Sequence, residues 1–192
     1  MNFLSLNTKG AGGFSKADWV KMLKAKHRIS FIAIQESQLT TMTDIQLNRF
    51  WDNTSCGKAV VNANGRSGGL FLVWNSNLFS AEEVVMTQLF IMVRGLLLGE
   101  VERLNIVNVY ALVDPSSRCN LWPDLVPLRE SFDGKWIFLG DFNEVRAAEE
   151  RMNSVFYSCN ALSFNNFIGE TGLMEYSMAG KNSLFFHLMV ES

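Results

Sequence analysis

Lys135-Trp136-Ile137-Phe138-Leu139-Gly140-Asp141-Phe142-Asn143 opens as an apolar strand and closes by delivering an Asp and an Asn two residues apart. Open α/β sheets bind ligands beyond the carboxyl ends of their strands, so this run reads as a strand feeding a site. Gly140 permits a tight exit. The i, i+2 spacing sends Asp141 and Asn143 to one side and returns Phe142 to the core. Taken alone, Gly-Asp-Phe-Asn equally suits an ordinary turn, since Asp and Asn both favour turns after strands. The remaining segments have to decide between the two.

Upstream, Phe3 to Asn7 reads as an opening strand, followed by a turn at Gly10, Gly12 and Gly13 that lacks both the Walker lysine and the dinucleotide pattern. Ser15 to Arg28 carries Trp19, Met22 and Leu23 at helical spacing with lysines opposite, which predicts an amphipathic helix. Phe31 to Ile34 is a buried strand ending in Gln35-Glu36, and a helix follows over Thr43 to Phe50. Leu70 to Trp74, Gln88 to Val93 and Leu104 to Tyr110 read as further strands. Pro115 and Ser116 start a helix bearing Leu121, Trp122 and Leu125, and Ala161 to Glu170 is helical up to the stop at Gly172. Several strands in succession between helices imply a mixed sheet system rather than a simple alternating one.

With 192 residues, 48 % of them hydrophobic, the chain can bury one substantial core but not two. No stretch approaches the ~20 continuous apolar residues of a membrane span, and Met1 to Lys9 lacks the character of a signal peptide, so an intracellular chain, nuclear or cytoplasmic, without a membrane partner is expected. Cys56, Cys119 and Cys159 are odd in number and far apart, which suits free thiols. Net charge is −2, unevenly spread: the first thirty residues hold six Lys or Arg against Asp18 alone, +5, leaving −7 for the rest. That distribution suits a polyanion at the rim and a metal at the centre, or simply a solvated helix face formed by Lys21, Lys24 and Arg28.

Four strand ends thus each present polar groups: Asn7, Glu36, Tyr110, and the pair Asp141 and Asn143. Ser5-Leu6-Asn7-Thr8-Lys9-Gly10, Ile34-Gln35-Glu36-Ser37, Arg66-Ser67-Gly68-Gly69-Leu70, Asn108-Val109-Tyr110-Ala111 and Gly140-Asp141-Phe142-Asn143 occur in the order and at roughly the spacing of the endonuclease/exonuclease/phosphatase superfamily. Within it the chain resembles the endonuclease domain of plant LINE-type (non-LTR) retrotransposon polyproteins, truncated at its C-terminal side. The resemblance implies an α/β (α+β) two-sheet sandwich with outer helices, missing its closing strands, over residues 1–180, with 181–192 an unrelated apolar tail.

It also implies the chemistry. Glu36, Asn7 and Asp141 would hold Mg²⁺ or Mn²⁺, a hard cation that takes carboxylate oxygens while keeping waters and the substrate phosphate. Asp141 would bind or deprotonate the attacking water, Asn143 would hold a phosphate oxygen, and Tyr110 would donate its hydroxyl to the scissile phosphate. The partners implied are DNA, nicked by phosphodiester hydrolysis, and retroelement RNA through a parent RNA-directed DNA polymerase polyprotein. Arg94, Arg118 and Arg146 are candidate phosphate contacts, whereas His27 has no role. The superfamily's closing Ser-Asp-His element finds no match. His187 has no neighbouring Asp and is read as incidental, so an inactive or weakly active endonuclease is expected. A further departure is Ala111-Leu112-Val113, where the family has Ala-Pro and a polar residue. A phosphatase or exonuclease of the same superfamily, or a non-catalytic nucleic-acid or protein-binding remnant, are the alternatives. Substrate hydrolysis and metal-independent DNA binding separate them.

Overall fold

The computed structural model describes residues 1–11, 14–65, 67–151, 155–176 and 188–191. Among these the chain runs through β1 (Phe3–Asn7), α1 (Phe14–His27), β2 (Phe31–Gln35), α2 (Asp44–Phe50), β3 (Cys56–Val61), β4 (Leu70–Asn75), β5 (Phe79–Met86), β6 (Phe90–Leu97), β7 (Arg103–Tyr110), α3 (Pro115–Cys119), α4 (Trp122–Ser131), β8 (Lys135–Asp141), α5 (Ser158–Thr171), β9 (Leu173–Tyr176) and β10 (Leu188–Glu191). Two mixed sheets result, ordered β1-β2-β4-β3 and β5-β6-β7-β8-β10-β9. The expected two-sheet sandwich with outer helices is therefore present. Of residues 181–192 the structure describes Leu188–Glu191, which pair antiparallel with both β8 and β9 as a strand of the larger sheet. Arg66, Gly12, Gly13 and His187, all named from the sequence, lie outside the described residues.

Three apolar layers hold this arrangement. Between the sheets, Phe31, Ala33, Leu72 and Trp74 of the first face Phe79, Ile91, Ile106 and Leu139 of the second. Outside the first sheet, Val20, Leu47, Phe50 and Trp51 cover Ile32, Ile34, Phe71 and Val73. Outside the second, Trp122, Leu125, Phe164 and Phe167 cover Met92, Val107, Trp136 and Phe138. Strands β2 and β4 are thus covered on both faces, which is why their sequences are continuous apolar runs without alternation. Each fully buried Phe or Leu contributes roughly 1.5–3 kcal/mol by leaving water.

Local chemistry sets the helix ends. Thr43 closes a capping box with Gln46 at the start of α2, and Gly172 ends α5 with φ at +66°. The single helix expected after Pro115 is two, α3 and α4, and Pro123 falls in the first turn of the second, where its missing N–H costs nothing.

Helix α1 corrects the sequence reading. Its buried stripe is Ala17 and Val20, continued by half-buried Leu23 and Lys24, whereas Trp19 and Met22 are 41 % and 54 % exposed. Ala17 and Val20 pack into the layer shared with α2 and the outer face of the first sheet, and Lys24 holds its Nζ 4.3 Å from the Trp51 ring centre and 2.6 Å from Asp52. Edge strand β5 carries no clear sequence signal because it is exposed on both faces beyond Phe79, Glu82 and Glu83 included, and β3, at the edge of the other sheet, is only partly buried.

One polar contact crosses the apolar layer between the sheets. Asn108 of β7 accepts from Gln35 Nε2 at 2.6 Å and donates to the carbonyls of Ile34 and Phe71 at 3.1 and 3.0 Å, a cross-strand pair of β2 and β4. All of these groups are buried. Replacing Asn108 by Ala leaves buried polar groups of Gln35, Ile34 and Phe71 short of partners, and each such loss costs ~1–3 kcal/mol. Asn108→Ala should therefore lower stability by about 3 kcal/mol, seen as a melting temperature roughly 6–12 °C below that of the parent.

Candidate active site

Strands β1 and β2 run parallel, as do β7 and β8, and their carboxyl ends meet at one edge of the sandwich. Asn7, Glu36, Tyr110, Asp141 and Asn143 all stand at that edge, and contacts join them. Asn7 Nδ2 donates to Glu36 Oε1 at 2.9 Å and to Asp141 Oδ2 at 2.6 Å. The Tyr110 hydroxyl stands beside Glu36, near enough for that carboxylate to push its pKa up. The backbone N–H of Asn143 donates to Asp141 Oδ1 at 3.1 Å, and Asn143 Nδ2 donates to the carbonyl of Ala111 at 2.7 Å.

The orientation of Asn7 has a local cause. The N–H of Lys9 donates to Asn7 Oδ1 at 3.0 Å, which turns the amide nitrogen towards the two carboxylates. In this arrangement Asn7 orients the acids while its oxygen is engaged by the turn. Glu36 is held in the left-handed region at φ +50°, in a loop pinned by Gly10 N–H to the Glu36 carbonyl at 2.8 Å and by Thr8 Oγ1 to the same carbonyl at 3.0 Å. Ser37 and Gln38 donate their N–H groups to the carbonyls of Gly69 and Gly68. A Cβ on Gly69 would stand 2.4 Å from Ser37 Oγ, so the Ser-Gly-Gly segment is needed to let these loops touch. Asp141 is placed by Gly140, at φ +144°, where a Cβ would meet the Val109 carbonyl at 2.0 Å. The neighbouring Phe142 is fully buried beneath α5.

Burial dominates the electrostatics. The Asp141 carboxyl, only 8 % exposed, is pushed above the usual carboxylate range first by burial, with Glu36 adding repulsion and the Asn7 and Asn143 donors and the Lys9 charge opposing. Burial likewise pushes the Tyr110 phenol up to about 12, helped by the Glu36 charge and the hydrogen bond to it, so Tyr110 stays a neutral donor. Among the described residues neither Glu36 nor Asp141 has a salt-bridge partner, and no three His, Cys, Asp or Glu side chains converge. Two carboxylates on one amide nitrogen nonetheless fit a hard divalent cation, which needs only one or two carboxylates when waters and phosphate complete its shell. Glu36 and Asp141 are the residues that would hold it.

The three arginines read as phosphate contacts are otherwise engaged. Arg118 is 2 % exposed and bonded to Glu144, Arg94 pairs with Asp133 and Glu82, and Arg146 donates to Asn165 at 3.0 Å. His27 is exposed on α1, away from these contacts. Sequence reasoning gave no role to Gln35, Asn108, Thr8 or Glu144, all buried polar groups behind the site. For Asn108 a signal was available: an amide inside the apolar run Ile106 to Tyr110 calls for a buried partner.

Two facing mixed sheets with a carboxylate from each, joined at one edge, define a nuclease-like α/β sandwich. The profile of the Endonuclease/Exonuclease/phosphatase family matches residues 4–162, and the chain belongs to that family. Solved structures share the fold. The AP endonuclease of Leishmania major superposes with a TM-score of 0.72 at 13 % identity, over 99 % of this chain and 78 % of that one. The 3′ phosphatase NExo from Neisseria, bound to a product DNA hairpin, gives 0.70 at 15 % identity over 100 % and 86 %, and a mannosyl-6-phosphatase of Bacteroides thetaiotaomicron gives 0.68 at 11 % over 98 % and 84 %. A search of curated proteins finds no match. No helix among the described residues is long and apolar enough to cross a membrane.

Because the Asp141 pKa is higher folded than unfolded, its contribution to stability is fully present below the unfolded value and is lost as pH rises through the folded one. At neutral pH the ionised carboxylate therefore works against folding. In metal-free protein, a ¹³C NMR titration of Asp141 should have its midpoint above 3.8, and Glu36→Gln should move it down. Mg²⁺ at a hundred times its dissociation constant should add about 2.7 kcal/mol, raising the melting temperature by roughly 5–10 °C, and Glu36→Gln should abolish the rise.

Proposed function

We propose that this chain hydrolyses phosphate esters and that its substrate is the phosphodiester backbone of DNA. The observation that carries the reading is the shared hydrogen bonding of Glu36 and Asp141 to Asn7, with the Tyr110 hydroxyl beside Glu36. Asp141, a carboxylate made more basic by burial, takes the proton of the attacking water. Tyr110 supplies a neutral hydroxyl that can turn from Glu36 to a phosphate oxygen without adding charge. Asn143 uses one Nδ2 hydrogen on the Ala111 carbonyl and has the other for a second phosphate oxygen. A Mg²⁺ or Mn²⁺ ion held by Glu36 and Asp141 would act as Lewis acid towards the phosphoryl group.

The finer reading, an endonuclease domain from a plant LINE-type retrotransposon polyprotein, rests on the spelling of the segments around Asn7, Glu36, Tyr110 and Asp141. Phosphomonoester hydrolysis is the second reading, supported by phosphatases among the structures of like fold.

Supercoiled plasmid incubated with the protein and Mg²⁺ should be nicked to open circles. Glu36→Gln and Asp141→Asn should each lower the rate by about 10²-fold or more, the usual contribution of a positioned acid or base. Tyr110→Phe should lower it less and leave the pH profile without an alkaline limb below pH 10. Nicking by Glu36→Gln at the parental rate would overturn the assignment, and hydrolysis of 4-nitrophenyl phosphate without nicking would favour the phosphomonoesterase.

A further inference from the structure

The guanidinium of Arg118 lies in the protein interior between the loop that follows Tyr110 and the loop that follows Asn143. Its Nη1 donates to the carbonyl of Leu112 at 3.2 Å and to that of Val113, two and three residues beyond Tyr110. Its Nε and Nη2 both donate to Glu144 Oε2, at 3.1 and 2.9 Å, and Glu144 immediately follows Asn143. The other carboxylate oxygen, Oε1, accepts from the N–H of Val145 at 3.2 Å and faces Arg151 Nη1 at 3.7 Å, while Arg151 also reaches the carbonyl of Asn143 at 3.4 Å. The side chains of Arg118 and Glu144 are 2 % and 3 % exposed.

Two further bonds tie the same loops nearer the acids, Ala111 N–H to the Asp141 carbonyl at 2.8 Å and Asn143 Nδ2 to the Ala111 carbonyl at 2.7 Å. Arg118 itself is presented by a short helix whose first turn is fixed by Asp114, which accepts from the N–H and hydroxyl of Ser117 at 2.8 Å.

We propose that Arg118, with Glu144, is a positioning residue for phosphate-ester hydrolysis: it clamps the two loops so that Tyr110 from β7 and Asp141 and Asn143 from β8 keep one mutual geometry. This rests on the hydrolase reading above. The five donors of a guanidinium form a planar fork able to serve a carboxylate and two carbonyls at once, which a lysine cannot do. A displacement of about 1 Å among reacting groups costs on the order of 10²-fold in rate, so a clamp outside contact with substrate can still govern turnover.

The test separates clamping from simple stability. Arg118→Met alone strands a buried carboxylate and should destabilise the fold, whereas Arg118→Met with Glu144→Met replaces the pair by apolar volume, a change proteins often accept without loss of stability. The double variant should melt within a few degrees of the parent, yet nick supercoiled plasmid in Mg²⁺ on the order of 10–100-fold more slowly, in kcat and with KM changed by less than about threefold. Arg118→Lys should recover little of that loss. Hydrogen exchange at the amides of Ala111 and Asn143 should quicken in the double variant while that at Ile106 and Phe138 stays parental.

Parental kcat in a folded double variant, or a loss of rate with unchanged exchange at Ala111 and Asn143, would overturn the positioning role and leave the hydrolase reading standing. Should the double variant unfold, the comparison passes to Glu144→Gln, which keeps the volume and a hydrogen-bonding oxygen. There, parental exchange with parental kcat would overturn the proposal, and faster exchange with reduced kcat would support it. Absence of hydrolysis by the unaltered chain with Mg²⁺ and with Mn²⁺ would overturn the hydrolase reading and the proposal with it, whatever the exchange data show.

Discussion

The two sheets share an apolar interior, and such a layer by itself fixes neither register nor depth, because one Leu against Phe is much like another. Asn108 supplies the missing specification. Its amide must meet Gln35 Nε2 and two carbonyls at the end of the β2–β4 ladder, and only one placement of the second sheet on the first satisfies all three. Displacing it would leave buried polar groups unpaired at a cost well above that of sliding one methyl group past another. Since Gln35 precedes Glu36 and Asn108 lies two residues before Tyr110, the contact that aligns the sheets also aligns the acid of one with the phenol of the other.

The strained backbone is concentrated at the same edge. Lys9, Glu36, Gln38 and Asn143 all have φ between 43° and 55°, in a region that side chains other than Asn seldom adopt. Strain of this kind costs of order 1–3 kcal/mol per residue and persists only where surrounding contacts over-determine it. Here Thr8, Gly10, Gly68 and Gly69 provide those contacts through backbone carbonyls and amides. The result is a carboxylate that points across the gap between sheets, when ordinary extended backbone would have carried it onward along the strand.

Much of this was legible in the sequence, and for identifiable reasons. Strands β2 and β8 carry continuous apolar runs, and β1 and β7 are mainly apolar, broken by Ser5 and by Asn105 and Asn108, each leading to polar residues, so both their extent and the residues at their exits could be read. The inner face of α1 could not: Ala17 and Val20 are weaker hydrophobic signals than Trp19 and Met22, and the helix's place against α2 and the first sheet, set by distant segments, decides which stripe is buried. Strands β3 and β5 blur because they are sheet edges with little fully buried sequence, and β10 because its partners are determined by distant segments. Arg118 reads as a phosphate contact because an arginine on a short helix just beyond the site looks the same in sequence whether it faces solvent or a buried glutamate. The orientation of Asn7, fixed by a backbone N–H two residues on, leaves no trace in spacing or composition.

Asn7 and Asp141 are 134 residues apart in the chain and 2.6 Å apart in space. Contacts of such separation form late, because closing the loop between them costs entropy that only the completed core repays. An intermediate with one sheet formed, however well ordered, contains one acid and no pair. The cluster therefore exists only once the two sheets have docked, and a half-folded chain lacks the paired acids.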